Sequence, residues 1–386
     1  MQKKMLIPIS SPWEKHHRKQ LILNLADEFK NFVDIYVIDR PYDILTYFLR
    51  KTVTKNYYRN TPGLNKVKEN LYVLGISQVF HEHISSLNVM FDYINKNYVK
   101  TEIKKFISDV DIIWISEPNH RFYFDIFYNS IKIYEIYDEY LLRPNGKLRN
   151  AKIVSNDQQI CDEADIIFYT SPKILQRRQK YSEKMFFINN GVDYSLFNAN
   201  NENENKVILK IDNKKRNIIF VGNIGEFIEI NAFFEILNED NNHLYIIGNY
   251  ELPMKNYILK LKSYNNCTYL GYIDHNKLKY YLQKMDIGVI PFKENNEFVE
   301  AINPLKFYEY LACGLPVVSL DLPIYNNLPE GLVYRYKKFS EINDLIKIAF
   351  DEKAKYIDFR KKYAQKNDWK NIAKAILSIF REKGII

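Results

Sequence analysis

Cysteine is scarce in this chain. Cys161, Cys267 and Cys313 are far apart, odd in number and without C-x-x-C spacing, which excludes a disulfide framework and a thiolate metal site and fits a reducing compartment. Long apolar runs are missing too: no stretch of about 18 uninterrupted apolar residues occurs, and the apolar part of the opening MQKKMLIPISSPWEKHH is far shorter than a signal-peptide core. Neither a membrane span nor a secretion leader is expected, so a cytoplasmic location is. There is no His-x-x-x-His spacing, and no Asp-x-Asp pair closes a strand; Asp109 and Asp111 flank the start of one and read as boundary residues. No metal and no cofactor are expected. What is present is 386 residues, 46% hydrophobic and 26% charged, too long for one small domain and too apolar for a disordered chain. Lys and Arg number 55 against 47 Asp and Glu, a net charge of +8, beside 31 Tyr and 24 Phe. That excess suits nucleic acid, an anionic membrane face or an anionic small molecule. No RRM, helix-turn-helix or zinc-finger pattern accompanies it, so nucleic acid is not the expected partner.

Short apolar runs alternate with amphipathic stretches along the whole chain, the pattern of parallel strands joined by crossover helices. Strands are predicted at 4–9, 33–38, 71–74, 111–115, 131–137, 166–170 and 185–189, with helices at 13–29 and 85–108. After Phe197 comes NANNENENK, a polar low-complexity run unable to bury much apolar surface. A second strand series follows at 217–222, 243–248, 267–271, 286–291, 316–320 and 331–336, five of the six runs preceding a plausible helix. The fold class is therefore α/β, two Rossmann-like domains facing across a cleft. The expected division is 1–197 for an acceptor-binding domain, 198–216 for a linker and 217–366 for a second domain, with a helix in 367–386 crossing back to the first. Ligands of such sheets sit at the carboxyl ends of the strands, so chemistry is expected in the cleft.

The run INPLKFYEYLACGLPVV at 302–318 has the strongest chemical content. Asn303 reads as an N-cap and Pro304 as the first helical residue, with Leu305 following and Gly314 stopping the helix. The free N–H groups and positive dipole end at the helix start favour phosphate, and Lys306 adds a full charge beside them. Glu309 lies one turn on, on the same face, where a carboxylate meets sugar hydroxyls. The same spacing also describes a solvated ion pair on an ordinary helix.

This segment resembles the P-x-K-x-x-E-Y-x-A-x-G-x-P-V-V signature of glycosyltransferases with the GT-B fold, in particular the large retaining group known as family GT4. Five further stretches match in the expected order: DEADIIFYTSPKI at 162–174, INNGVDYSLFN at 188–198, NIIFVGNIG at 217–225, LYIIG at 244–248 and YLGYIDHNKLKYYLQKMDIGVIPF at 269–292. The resemblance implies a nucleoside diphosphate sugar, UDP-, GDP- or dTDP-linked, in the second domain. Glu309 would bind the ribose hydroxyls, Lys306 and the helix start the diphosphate, Gly222 and Asn223 the turn near the phosphates, and the backbone of Tyr272 and Ile273 the base. It also implies retention of configuration, and helix dipoles and basic side chains in place of a metal. Two departures stand out: Ala301 occupies the first position of the family's E-x7-E element, with Glu300 one place out of register, and GNIGEFIEIN at 222–231 lacks the usual Arg and Lys.

An acceptor hydroxyl must lose a proton, so a carboxylate or His in the first domain is sought. Glu117 in WISEPNH and Asp138 in IYEIYDEY end predicted strands and are the candidates, although helix capping is an equal use for such groups. Glu135 shares the acidic stretch with Asp138, which is similar to that of teichuronic-acid and capsule-type transferases. His16 and His17 are expected on the exposed face of the first helix. Between 49 and 68 stand Arg50, Lys51, Lys55, Arg59, Lys66 and Lys68 with no acid among them. They suit an anionic membrane surface or a polyprenyl-linked acceptor, or else form a solvated loop. The expected function is transfer of a sugar from a nucleoside diphosphate to a saccharide or lipid-linked acceptor in bacterial surface-polysaccharide synthesis, with peripheral attachment to the inner face of the membrane. The alternatives are a nucleotide-sugar epimerase of the same fold and a non-catalytic sugar-nucleotide-binding partner.

Overall fold

The structure, a computed structural model, describes residues 2–44, 63–80, 89–198 and 211–386. The first domain holds β1 (Lys3–Pro8), β2 (Val33–Ile38), β3 (Tyr42–Asp43), β4 (Gly63–Lys68), β5 (Leu71–Gly75), β6 (Ser77–Gln78), β7 (Ile112–Ile115), β8 (Ile131–Ile136), β9 (Ile166–Tyr169) and β10 (Met185–Phe187). Eight of them form one sheet in the order β10-β9-β8-β7-β1-β2-β5-β4, and β3 pairs with β6 apart from it. All neighbours in the large sheet are parallel except β4, which runs antiparallel to β5 at the edge. The second domain holds β11 (Arg216–Val221), β12 (Asn242–Ile247), β13 (Cys267–Gly271), β14 (Ile287–Ile290), β15 (Val317–Leu320) and β16 (Val333–Tyr336), ordered β13-β12-β11-β14-β15-β16 and wholly parallel. Both domains are thus Rossmann-like.

Strands such as β7, β14 and β15 are buried at every position. That is why they read as continuous apolar runs: a parallel sheet is covered by helices on both faces. The strand order reverses between β1 and β7 in one sheet and between β11 and β14 in the other. Such switch points leave crevices beyond the carboxyl ends of the strands.

The first predicted helix is broken. Trp13–Lys15 is a single 3-10 turn and the α-helix begins at Lys19, so His16, His17 and Arg18 lie in the joint. His16 is consequently buried at 8% exposure, with Nδ1 2.9 Å from Ser11 Oγ, a correction to the exposed helix face expected for it. His17 remains exposed but to the cleft, its ring edge-on to Tyr137. The final helix, Trp369–Glu382, packs on Lys19–Phe29 of the first domain, burying Ile372, Ile376 and Phe380 there. Just before it, Val192 N donates to Asn367 O, and Trp369 N to Val192 O.

Candidate functional site

A cavity of about 780 Å³ opens where the strand ends of the two sheets face one another. The first domain contributes His17 and Arg18 after β1, Glu117 after β7, Asp138 after β8, and Arg149; the second contributes Gly222 and Asn223 after β11, Phe292 after β14, and the segment Asn303 to Lys306. Glycine at 248 is a packing requirement. A Cβ on Gly248, whose φ is +138°, would lie 1.9 Å from the Gly222 carbonyl oxygen, so the ends of β11 and β12 approach closely only without a side chain at 248.

The helix after β14 runs Leu305–Ala312, with Pro304 as its N-cap and no side chain capping it. The cap expected of Asn303 is therefore not made, for a tertiary reason. Its amide nitrogen donates to Thr170 O at 3.0 Å and Asn189 Oδ1 at 2.8 Å, while its oxygen accepts from the Tyr308 hydroxyl at 3.0 Å. Asn190 donates to the Asn303 carbonyl at 2.7 Å. Asn303 is thus a bolt between the domains, and the helix start stays open to the cavity through Pro304, Leu305 and Lys306. The body of the helix is fixed to its sheet: Tyr310 accepts from Val221 N at 2.9 Å, and its ring fills the space over Gly288, where a Cβ would lie 2.3 Å from it.

Lys306 Nζ donates to Glu309 Oε2 at 2.6 Å, and His275 Nε2 stands 3.0 Å from Glu309 Oε1. The pair is not a solvated one, because Glu309 is 5% exposed. Burial pushes the Glu309 carboxyl up, but the Lys306 ammonium and the His275 hydrogen bond outweigh it and hold it at about 2. Glu309 is a fixed anion that holds the Lys306 ammonium, and Lys306 itself lines the cavity.

On the opposite wall, burial raises the Asp138 carboxyl to about 6, against the hydrogen bond it accepts from Glu139 N. Tyr137 and Tyr140 beside it are also pushed up, by burial and by carboxylates including Glu117. Glu135, the neighbouring acid of the same motif, is committed elsewhere: it accepts from Arg18 and from Trp114 Nε1. Arg18 also donates to Asn190 Oδ1 at 2.6 Å, its guanidinium lies over Tyr137 and Trp369, and its buried Nε has no partner. Glu139 is likewise consumed, by Arg177 and Arg178.

Of the other positions singled out in the sequence, Tyr272 is 62% exposed and Ile273 half-buried, both beyond the cavity. Ala301 is buried against the core of the first domain, and Glu300 pairs with Lys173 at 2.9 Å across the seam. Among the described residues, no carboxylate of the second domain lines the cavity. Arg50, Lys51, Lys55 and Arg59 lie outside the described residues; of the same patch, Lys68 is bound to Asp27 at 2.8 Å and Lys66 lies over Tyr72. Among the described residues no group of three or more His, Cys, Asp or Glu is arranged to hold a metal ion, and no helix is long and apolar enough to cross a membrane. Four participants escaped the sequence reading. Arg149 stands in a loop without a spacing that marks it, whereas Asn190, His275 and Arg18 lay within the quoted INNGVDYSLFN, YLGYIDHNKLKYYLQKMDIGVIPF and SSPWEKHHR stretches without being singled out. The apolar wall of Phe227, Phe292 and Phe298 escaped as well.

Residues 201–338 match the family described as Glycosyl transferases group 1. A putative teichuronic acid biosynthesis glycosyltransferase, TuaH of Bacillus subtilis strain 168, is 26% identical over 246 residues, and the match spans 60% of this chain and 60% of that relative. Among solved structures, sucrose-phosphate synthase from Thermosynechococcus elongatus superposes with a TM-score of 0.76 at 15% identity, over 100% of both chains. Anabaena HepE, solved with UDP and glucose, gives 0.67 at 11% identity, covering 99% of this chain and 100% of that one. Facing parallel sheets, a cleft at both switch points and a lysine at an uncapped helix start agree with these likenesses: the chain has the GT-B fold, and its residues 201–338 match the glycosyl transferases group 1 family.

Proposed function

We propose that the protein transfers a sugar from a nucleoside diphosphate to a saccharide or lipid-linked acceptor in the assembly of a bacterial cell-wall or capsular polysaccharide, retaining the anomeric configuration as family GT4 does. The observation that carries the reading is the uncapped start of Leu305–Ala312, with Lys306 on the cavity wall and its ammonium held by Glu309. As the glycosidic bond to the diphosphate lengthens, negative charge grows on the leaving oxygens. The N–H groups of the first helical turn and the Lys306 ammonium meet that charge without having to reorganise, a role that needs no metal ion. The nucleoside would extend past Lys306 toward Glu309, His275 and Tyr272, leaving the sugar inside the cavity. Asp138 and Glu117 face it from the other domain and are the proposed acceptor-side carboxylates. TuaH, named for teichuronic acid synthesis, supports a polymer acceptor at the cell envelope, and the basic run from Arg50 to Arg59 is proposed as its membrane-side contact.

Lys306→Ala tests this. The expected result is a fall in kcat/KM on the order of 100-fold, the scale of removing one charge-stabilising donor, with weakened binding of the nucleoside diphosphate by calorimetry and a retained fold by circular dichroism. Unchanged kinetics would remove Lys306 from the site.

A further inference from the structure

We infer that the donor sugar carries a methyl group, as a 6-deoxy or an N-acetyl substituent, seated on the aromatic wall of the second domain. The inference rests on the nucleotide-sugar reading above and deepens it. The segment after β11 turns back and pairs with the segment after β14: Ile228 bridges Phe292, Lys293 N donates to Phe227 O at 2.9 Å, and Glu229 N donates to Pro291 O at 2.8 Å. This brings Phe227 and Phe292 edge to face at 5.8 Å, with Phe298 6.2 Å from Phe227. The three rings and Ile302 line the same cavity as Gly222 and Lys306.

With the diphosphate at the helix start and the nucleoside outside the cavity, the sugar lies against this wall, which offers it no side-chain hydrogen bond. Ala301 is 1% exposed and has no polar atom beyond its backbone, Glu300 is not part of the cavity lining, and the Asn303 amide is engaged on both its atoms. A hydroxyl pressed there loses water without a replacement partner, whereas a methyl group gains from the same burial. Polar partners come from the first domain, where Glu117, Asp138, Asn119 and Arg149 line the facing side. The sugar is therefore gripped by its hydroxyls on one side and by a methyl on the other.

The experiment measures calorimetric affinity and turnover for three matched pairs: UDP-glucose with UDP-N-acetylglucosamine, dTDP-glucose with dTDP-6-deoxyglucose, and GDP-mannose with GDP-rhamnose. The methyl-bearing member of at least one pair should bind about tenfold or more tighter, the discrimination a single buried carbon provides, and the pair that responds separates the acetamido from the deoxy source. Ile302→Ser should cut that preference at least about threefold, with binding of the nucleoside diphosphate alone unchanged as the control for folding. A preference below tenfold in all three pairs overturns the inference, as does a preference untouched in Ile302→Ser. Failure of every nucleotide to bind overturns the donor-site reading itself, which distinguishes the two.

Discussion

At the scale of single residues, two carboxylates have opposite shifts, Asp138 on the cavity wall and Glu309 behind Lys306, and each makes its own pH prediction. Glu309 falls from 4.5 to about 2 on folding, so the unfolded chain takes up its proton first. Its contribution to stability is complete above pH 4.5 and is lost as pH falls toward 2. Glu309→Gln should flatten the dependence of melting temperature on pH in that window, relative to the parent. A slope that persisted would assign acid sensitivity to other groups. Asp138 runs the other way, from 3.8 up to about 6. Ionising it in the folded state costs stability, a contribution favourable below pH 3.8 and lost as pH rises through 6. For a group that takes up the acceptor proton, that shift places an acid limb in the kcat/KM profile near pH 6. Asp138→Asn should remove the limb and lower turnover on the order of 100-fold or more. An intact limb in the variant would exclude Asp138 from the proton step.

Elements show why some of this was legible in the sequence and some was not. Strands buried on both faces announce themselves, so β7, β14 and β15 fall within a residue of their predicted ends. The edge strand β4 did not: GLNKVK is almost wholly exposed, and its pairing is made by backbone with no apolar alternation to betray it. The open helix start at 305 was readable from Pro-Leu-Lys, but Asn303 was misread, because an Asn before Pro looks like a cap and only the approach of Asn189 and Thr170 from 114 and 133 residues away decides otherwise. Lys306 and Glu309 were visible as a pair. His275, which completes the pair's setting from 34 residues upstream, was not singled out. The segment from Asn189 to Asp193 is the element on which the seam turns. Gly191 there lies under Trp369, and a Cβ would sit 2.8 Å from its ring carbons and 2.9 Å from Asn367 O. The backbone of Asn367 cannot yield without breaking its bond to Val192. Gly191→Ala should therefore destabilise the protein by about 1–3 kcal/mol, the usual cost of overpacking, measured by denaturant unfolding. An unchanged midpoint would show that the final helix is free to shift.

For the molecule as a whole, the final helix returns the chain from the second domain to the core of the first. The ion pairs across the seam are weak ties: Lys173–Glu300 and Arg177–Glu297 have side chains 24% to 66% exposed, and such pairs are worth about 0–1 kcal/mol. The firmer ties are the amide network around Asn303 and the helix Trp369–Glu382, which follows the second domain in sequence but completes the core of the first. Phe380 is fully buried, edge-on to Phe29 at 5.1 Å and 6.3 Å from Trp114, and Lys3 Nζ donates to the Ile385 carbonyl. Phe380→Ala should cost about 3–5 kcal/mol, as large-to-small changes in a core do. The position of the loss is the sharper test. Hydrogen exchange followed by mass spectrometry should show faster exchange in β1, β7 and the helix Lys19–Phe29, far from residue 380 in sequence, while β11, β12 and β14 keep their protection. If β11 and β14 lost protection equally, the helix would be stabilising the pair of domains as a unit instead of belonging to the first. If neither sheet responded, the packing of Phe380 on Phe29 would not exist in solution.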